Sequence, residues 1–343
     1  MNAQGRLELI DVQVPRIGPK ELLVKMIVCG ICGTDLEKLH GVRLTPPVLG
    51  HEVAGQIEEV GDQLQGYSKG DKVAVHHHVP CMNCLYCRRG DHTMCLDFPK
   101  NNLDPCGFAE YFRVPEANLS RGAVFHIPSG ISYEEAALAE PTGCCIRGLR
   151  KLGVVAGDDF VVIGAGPAGL THIQLLRAMN ARRIFATDLV EPRLTCALKS
   201  GADAAFNAEA ADTENSILES TDGIGVDKVI VSSASTRAIE SALRLVRKGG
   251  KILLFGIPPE GSCLRLDVSH LFIREITMMP SYSTIENEIK AALQMMTEKK
   301  IQLLNIITHR FELADLEDAV RTAENVQSSL KVMVHGQSAD VML

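Results

Sequence analysis

The sequence predicts an α/β fold in two parts, a mostly β region followed by a parallel sheet with helices on both of its faces. Three observations carry that prediction. Up to about Leu138 the chain runs in short apolar stretches broken by Gly and Pro, such as ELLVKMIVCG, VAGQIEEVG and DKVAVHHH, which is the pattern of strands and turns. From Asp159 the pattern changes to apolar runs alternating with amphipathic ones, as successive βαβ units require. Where the first of those strands meets the first of those helices stands G-A-G-P-A-G.

The elements follow in order. FVVIGAG leads to PAGLTHIQLLRAMN, RRIFATD to EPRLTCALKSGA, and VDKVIVSS to TRAIESALRLVRKGG, after which comes KILLFG. Gly249 and Gly250 are expected to end the third of these helices, just before a strand beginning at Lys251. After Tyr282 a long amphipathic helix (IENEIKAALQMMTEKK) and a shorter one (LADLEDAVRTAENV) precede the strand-like LKVMV. There is no internal repeat or low-complexity tract.

Composition narrows the class. A chain of 343 residues with 46% hydrophobic content suits two domains, each with its own core. The opening MNAQGRLELIDVQVP lacks the basic start and apolar core of a leader, and no apolar run approaches the ~18 residues that span a bilayer, so a cytoplasmic enzyme is expected. A formal net charge of −7 without a basic stripe argues against nucleic acid as the main partner.

Of the 11 cysteines, Cys81, Cys84, Cys87 and Cys95 stand as C-x2-C-x2-C-x7-C, a spacing suited to gripping one soft, tetrahedral cation, above all zinc. Four thiolates leave no open position, so that ion would hold a loop and perform no chemistry. Disulfides or an iron–sulfur cluster are the competing uses. Cys29, Cys106, Cys144, Cys145, Cys196 and Cys263 show no paired spacing and read as reduced, mostly buried packing residues.

Gly164, Gly166 and Gly169, with Pro167 and Ala168 between them, follow the strand FVVI and open a helical stretch. The first glycine permits a tight turn, the second lets backbone approach a pyrophosphate, and the third lets helix pack on strand, the Rossmann arrangement for a dinucleotide. Asp188 ends the next strand where a carboxylate would bind ribose hydroxyls and repel the 2′-phosphate of NADP, favouring NAD. Arg193 would soften that preference, and Asp188 could instead be a helix cap before Pro192. A second, scattered ligand group comprises Cys32 in GICGTD, His51 and Glu52 in GHE, and Glu140 in AEP. Together they could hold zinc with a position left open.

With GICGTD, GHEVAGQIEEVG, the four-cysteine lobe, AEP, GAGPAGL, the ATD strand end and the return segment in order along nearly the whole chain, the sequence resembles the zinc-dependent medium-chain dehydrogenase/reductase family, most closely its sorbitol and threonine dehydrogenase-like branch. The resemblance implies a GroES-like mostly β catalytic domain over 1–140 with the structural zinc lobe, a Rossmann NAD-binding domain over 141–283, and a return to the first domain over 284–343. It implies Cys32, His51 and Glu52 as ligands of a catalytic zinc, with Glu140 either a fourth ligand or a hydrogen-bond partner of the zinc's water. It implies Asp35 as the carboxylate that orients His51, and Thr34 as the hydroxyl that receives the substrate's proton. Gly256, Ile257, Ser281 and Tyr282 would join the glycine loop at the cofactor. Cys144 and Cys145 do not match the ligand cysteine of the family's alcohol dehydrogenases.

Two departures from the family pattern stand out. Glu37 occupies the place of a frequent histidine three residues after Thr34; it can also accept a proton, whereas His40 would serve only if the loop folded back. Ser281 replaces the arginine that the branch commonly has beside Tyr282. The implied reaction is hydride transfer between a secondary alcohol (polyol, sugar, cyclitol or hydroxy-amino acid) and NAD, assisted by zinc, in a homodimer or homotetramer. The competing readings are an NADPH-dependent carbonyl reductase and a non-catalytic, zinc-stabilised binding protein.

Overall fold

The structure, a computed structural model, describes residues 7–40 and 49–336, so part of the opening segment read above for a leader lies outside the described residues. The chain divides into two compact units, one formed by Met1–Gly143, Thr284–Lys299 and Leu303–Leu343, the other by Cys144–Ser283 and Lys300–Gln302. No helix among the described residues is long and apolar enough to cross a membrane.

The first unit begins with β1 (Leu22–Gly30), β2 (Glu52–Val60), β3 (Lys72–Val75), β4 (Tyr111–Val114) and β5 (Val124–His126). The second unit holds β6 (Asp159–Ile163), β7 (Arg183–Asp188), β8 (Ala204–Asn207), β9 (Val226–Val231), β10 (Val246–Leu254) and β11 (Thr277–Pro280). The chain then returns to the first unit with β12 (Ile307–Glu312) and β13 (Lys331–His335). In the first sheet the order is β12-β13-β1-β2-β3-β5, with β4 also paired to β1. Alternate residues Leu22, Val24, Met26 and Val28 of β1 are fully buried, the period-two signature of a strand with one face on a core. Leu22, Val24 and Met26 pack with Val73, Phe112, Val332 and neighbouring residues.

In the second unit all six strands are parallel, in the order β11-β10-β9-β6-β7-β8. All five residues of β6 are buried, as expected of a central parallel strand covered on both faces. Strand order reverses at β6, with β7 on one side and β9 on the other, so the carboxyl ends of β6 and β9 border a switch point, where such sheets bind ligands. This is the doubly wound sheet that the sequence predicts, and with the mostly β first unit it makes an α/β protein.

One expected boundary is corrected. The helix Thr236–Leu245 ends before Gly249 and Gly250, and strand β10 already begins at Val246. The β9–β10 register shifts between Val246 and Lys251, and Gly249 has φ +70, so the glycines form an irregularity within the strand. The Gly250 site explains why: a Cβ there would lie 2.5 Å from Val246 Cγ2 and 2.9 Å from the Asp227 carbonyl oxygen, so the kink demands glycine for space.

Candidate functional site

The bend that follows β1 builds the first cluster. Cys32 caps the helix Gly33–Leu39, and its backbone N–H donates to Asp35 Oδ2 at 3.0 Å. Asp35 Oδ1 accepts from Gly50 N–H, also at 3.0 Å, and lies 3.3 Å from His51 Nδ1. One carboxylate thus ties the helix start to the segment that carries His51. Burial alone would raise the Asp35 pKa, but His51 and the two backbone N–H donors outweigh it and hold the carboxyl below its ordinary value. For His51, burial disfavours the charged ring, yet Asp35 and then Cys32 raise its pKa well above the ordinary value. Such a field favours positive charge at the ring, whether a proton or a metal ion.

With Nδ1 turned to Asp35, His51 presents Nε2 on its other side, 3.4 Å from Thr34 Oγ1. Ligand atoms of Cys32, His51 and Glu52 lie within 4.8 Å of one another. A sulfur, an imidazole nitrogen and a carboxylate oxygen at that spacing fit an open zinc site. Glu52 reaches it because of register: it pairs with Gly30 across β1 and β2. A Cβ on Gly30 would overlap the Glu52 carboxylate and lie 2.9 Å from Lys331 Cε. The missing side chain lets Lys331 Nζ form a buried ion pair with Glu52 Oε2 while donating to Ile31 O at 2.9 Å. Sequence reading missed Lys331, since a lysine in LKVMV looks like the solvent-facing residue of an edge strand; its burial to 4% exposure is the signal only the fold supplies.

The remaining residues of this group have surroundings of their own. Glu37 sits three positions beyond Thr34 on the same short helix and is half-buried, on the face that an i,i+3 pair shares. His40 instead pairs with Glu324 Oε1 at 2.8 Å, with its side chain 66% exposed. Glu140, buried in the first turn of the helix Ala139–Leu152, converges with His76 and His77, which sequence reading did not single out. The His77 ring lies 4.8 Å from that of His51. Burial, then the neighbouring histidines, hold the His77 pKa well below its ordinary value, so this ring is neutral.

Ligand atoms of Cys81, Cys84, Cys87 and Cys95 converge within 4.8 Å, and all 11 cysteines are free of disulfides. The Asn83 backbone N–H leads the interactions that lower the Cys81 thiol to about 7. Among the described residues the hydrophobic cluster around them adds just Phe98 and Ile285, so the lobe has little core of its own and a four-thiolate metal suits it. Of the other cysteines, Cys29 and Cys145 are buried as expected, whereas Cys263 is exposed and packs no core.

In the second unit the expected cofactor residues collect at strand carboxyl ends. Gly164 follows β6 with φ +97, a left-handed conformation that only glycine adopts without strain. Gly166 caps the helix Pro167–Ala178 with Pro167 in its first turn, and a Cβ on Gly169 would overlap Gly164 O. At Gly166 a Cβ would meet only Arg193 Nη1, at 3.5 Å, which leaves the helix start open to an anion. Ala168 lies in the first turn of that helix. Asp188, at the end of β7, accepts from Ala165 N–H at 2.7 Å and Val190 N–H at 2.9 Å. It therefore fixes the glycine turn, and the cap of the helix Glu191–Lys199 is Val190. Gly256 and Ile257 follow β10, and Ser281 and Tyr282 follow β11; Ser281 Oγ is buried without a partner, while Tyr282 is exposed. These residues fit a bound dinucleotide.

Residues 18–128 match the family model for the alcohol dehydrogenase GroES-like domain, and residues 167–298 that for zinc-binding dehydrogenase. The chain is 35% identical to L-threonine 3-dehydrogenase of Pyrococcus furiosus over 78% of its own length and 76% of the relative's. It is 30% identical to sorbitol dehydrogenase of Bacillus subtilis over 98% and 96% of the respective lengths. Among solved structures, an alcohol dehydrogenase from Thermus sp. ATN1 superposes with a TM-score of 0.87 at 28% identity, over 98% of this chain and 99% of that one.

Proposed function

The chain belongs to the zinc-dependent medium-chain dehydrogenase family and is an oxidoreductase of secondary alcohols, and we propose that it oxidises the hydroxyl of a polyol, sugar, cyclitol or hydroxy-amino acid with NAD. The observation that carries the reading is His51 held between Asp35 and Thr34, beside Cys32 and Glu52. When bound by Cys32, His51 and Glu52, zinc supplies the Lewis acidity that makes a hydroxyl acidic, and NAD supplies the hydride acceptor. Asp35 fixes the ring so that Nε2 faces the ligand cluster. Lys331 pairs with Glu52 Oε2, and the same carboxylate would give the metal its oxygen donor. Thr34 Oγ1 takes the alcohol proton and gives up its own, and Glu37, one turn along the same helix face, receives it. His40 is outside this path because it pairs with Glu324.

NAD is favoured over NADP by the Asp188 carboxylate, which stays near the glycine turn through its two backbone bonds. Arg193, whose Nη1 lies 3.5 Å from the Cβ position at Gly166, is placed for the pyrophosphate. The branch resemblance, shared with relatives named for threonine and sorbitol, supports the hydroxylated substrate class. The test is a panel of secondary alcohols with NAD+ and with NADP+, read by absorbance of the reduced cofactor. Turnover of polyols or hydroxy-amino acids with NAD+ is expected; turnover only of carbonyl compounds with NADPH would replace this reading with that of a reductase.

A further inference from the structure

On the reading of the glycine turn as a dinucleotide site, we infer that His172 is a positioning residue for the cofactor and that Ser232, which it holds, donates its hydroxyl hydrogen to an oxygen of the bound dinucleotide. Ser232 stands directly after β9, and its N–H donates to Ile163 O at the end of β6 at 2.8 Å. It therefore lies at the switch point. A Cβ on Gly164 would come within 3.2 Å of Ser232 C and Ser233 N, and one on Gly256 would overlap the Ser233 carbonyl. Both glycines thus keep clear the path of Ser232 and Ser233 past the glycine turn, which brings the half-buried Ser232 to the place where such sheets bind ligands.

His172 lies behind that serine. It belongs to the second turn of the helix Pro167–Ala178 and is 0% exposed. Its Nδ1 is 3.4 Å from Ser232 Oγ, and its ring meets that of Phe255 edge-on, with centroids 4.6 Å apart. Phe255 N–H donates to Val231 O at 3.0 Å, and Gly256 follows it. One imidazole therefore touches the chain after β9 and the chain after β10 from the helix that the glycine turn opens. Burial lowers the His172 pKa to about 3, against the Ala168 backbone, which favours the charged ring, so the ring is neutral with a single proton. Its Nε2 is buried and has no hydrogen-bond partner. A buried N–H left unbonded is rarer than an unbonded acceptor, which places the proton on Nδ1 and makes Ser232 Oγ the acceptor of that bond. The serine's own hydrogen is then free for a ligand. A leucine would fill this space without stranding a nitrogen, so packing alone does not account for an imidazole here.

The experiment measures NADH affinity by fluorescence titration, together with Tm, for the wild type, His172→Leu, His172→Asn, Ser232→Ala and the double variant of His172→Leu with Ser232→Ala. His172→Leu is expected to weaken NADH binding about three- to tenfold, the worth of one neutral hydrogen bond, while its Tm stays level or rises because the orphaned nitrogen is gone. Ser232→Ala should weaken binding by a similar factor. The double variant should lose little more than either single one, since both substitutions break one chain of contacts. His172→Asn, whose amide can donate in place of Nδ1, should recover most of the loss. A fall in the Tm of His172→Leu would mark a merely structural histidine and overturn the proposal, as would losses that multiply in the double variant. Wild-type protein that binds no NADH would sink the dinucleotide reading and this one with it; wild-type binding beside unaltered affinity in His172→Leu and Ser232→Ala would overturn this one alone.

Discussion

Lys331 on the last strand forms a buried ion pair with Glu52 on β2, across the backbone of Gly30. The two carriers of opposite charge lie 279 positions apart in a chain whose last strand returns to pair with its first. Burial disfavours the charged lysine, but Glu52 and then Cys32 reverse that and raise its pKa. The carboxylate proposed for the metal is thus already paired with an ammonium.

Lys331→Met is expected to destabilise the metal-free protein by about 3–5 kcal/mol, the usual cost of removing one partner of a buried pair. The loss should be smaller in zinc-loaded protein, where Glu52 keeps a counter-charge. Denaturant unfolding with and without chelator measures both. Equal losses in the two states would mean that Glu52 is not a ligand.

In the second unit, Arg182 and Arg183 both pair with Asp159. Burial opposes ionisation there, but the two guanidinium groups outweigh it and lower the carboxyl below 3.8. A lowered folded pKa gives stability that is present above the unfolded value and lost as pH falls through the folded one. Asp159→Asn should therefore lower Tm at pH 7, and the gap to wild type should narrow below pH 3.8. A gap independent of pH would show that the charge is not what stabilises this corner.

Much of this was readable in the residues themselves. Gly164, Gly166 and Gly169 announce the turn because each glycine answers a separate steric demand, and the four-cysteine lobe declares itself by spacing alone. Local pattern fails where a partner comes from far along the chain. Lys331 looks solvent-facing until Gly30 removes the side chain that would block it from Glu52. His76 and His77 look like strand residues until Glu140 and Glu286 pack beside them. Gly249 and Gly250 look like a helix stop because the register shift they permit shows only against the neighbouring strand β9.

Asp188→Ser should weaken NAD use and improve the relative use of NADP, because it removes a ribose acceptor and a repulsive charge together. The serine also drops one of two backbone anchors, so affinity for both cofactors should fall somewhat. The ratio of kcat/KM for the two cofactors is the readout. An unchanged ratio would confine Asp188 to holding the glycine turn.

The central claim is that Thr34, beside His51 Nε2, accepts the proton of a secondary alcohol. Glu37→Gln should shift the pH profile of turnover, while His40→Ala should leave it in place. The direct test is kcat for Thr34→Ala with a turned-over alcohol and saturating NAD+, alongside NAD affinity by direct binding. The account predicts a fall of about 100-fold or more, the scale for losing a positioned proton-transfer group, with cofactor affinity nearly unchanged. An undiminished kcat in Thr34→Ala would contradict it.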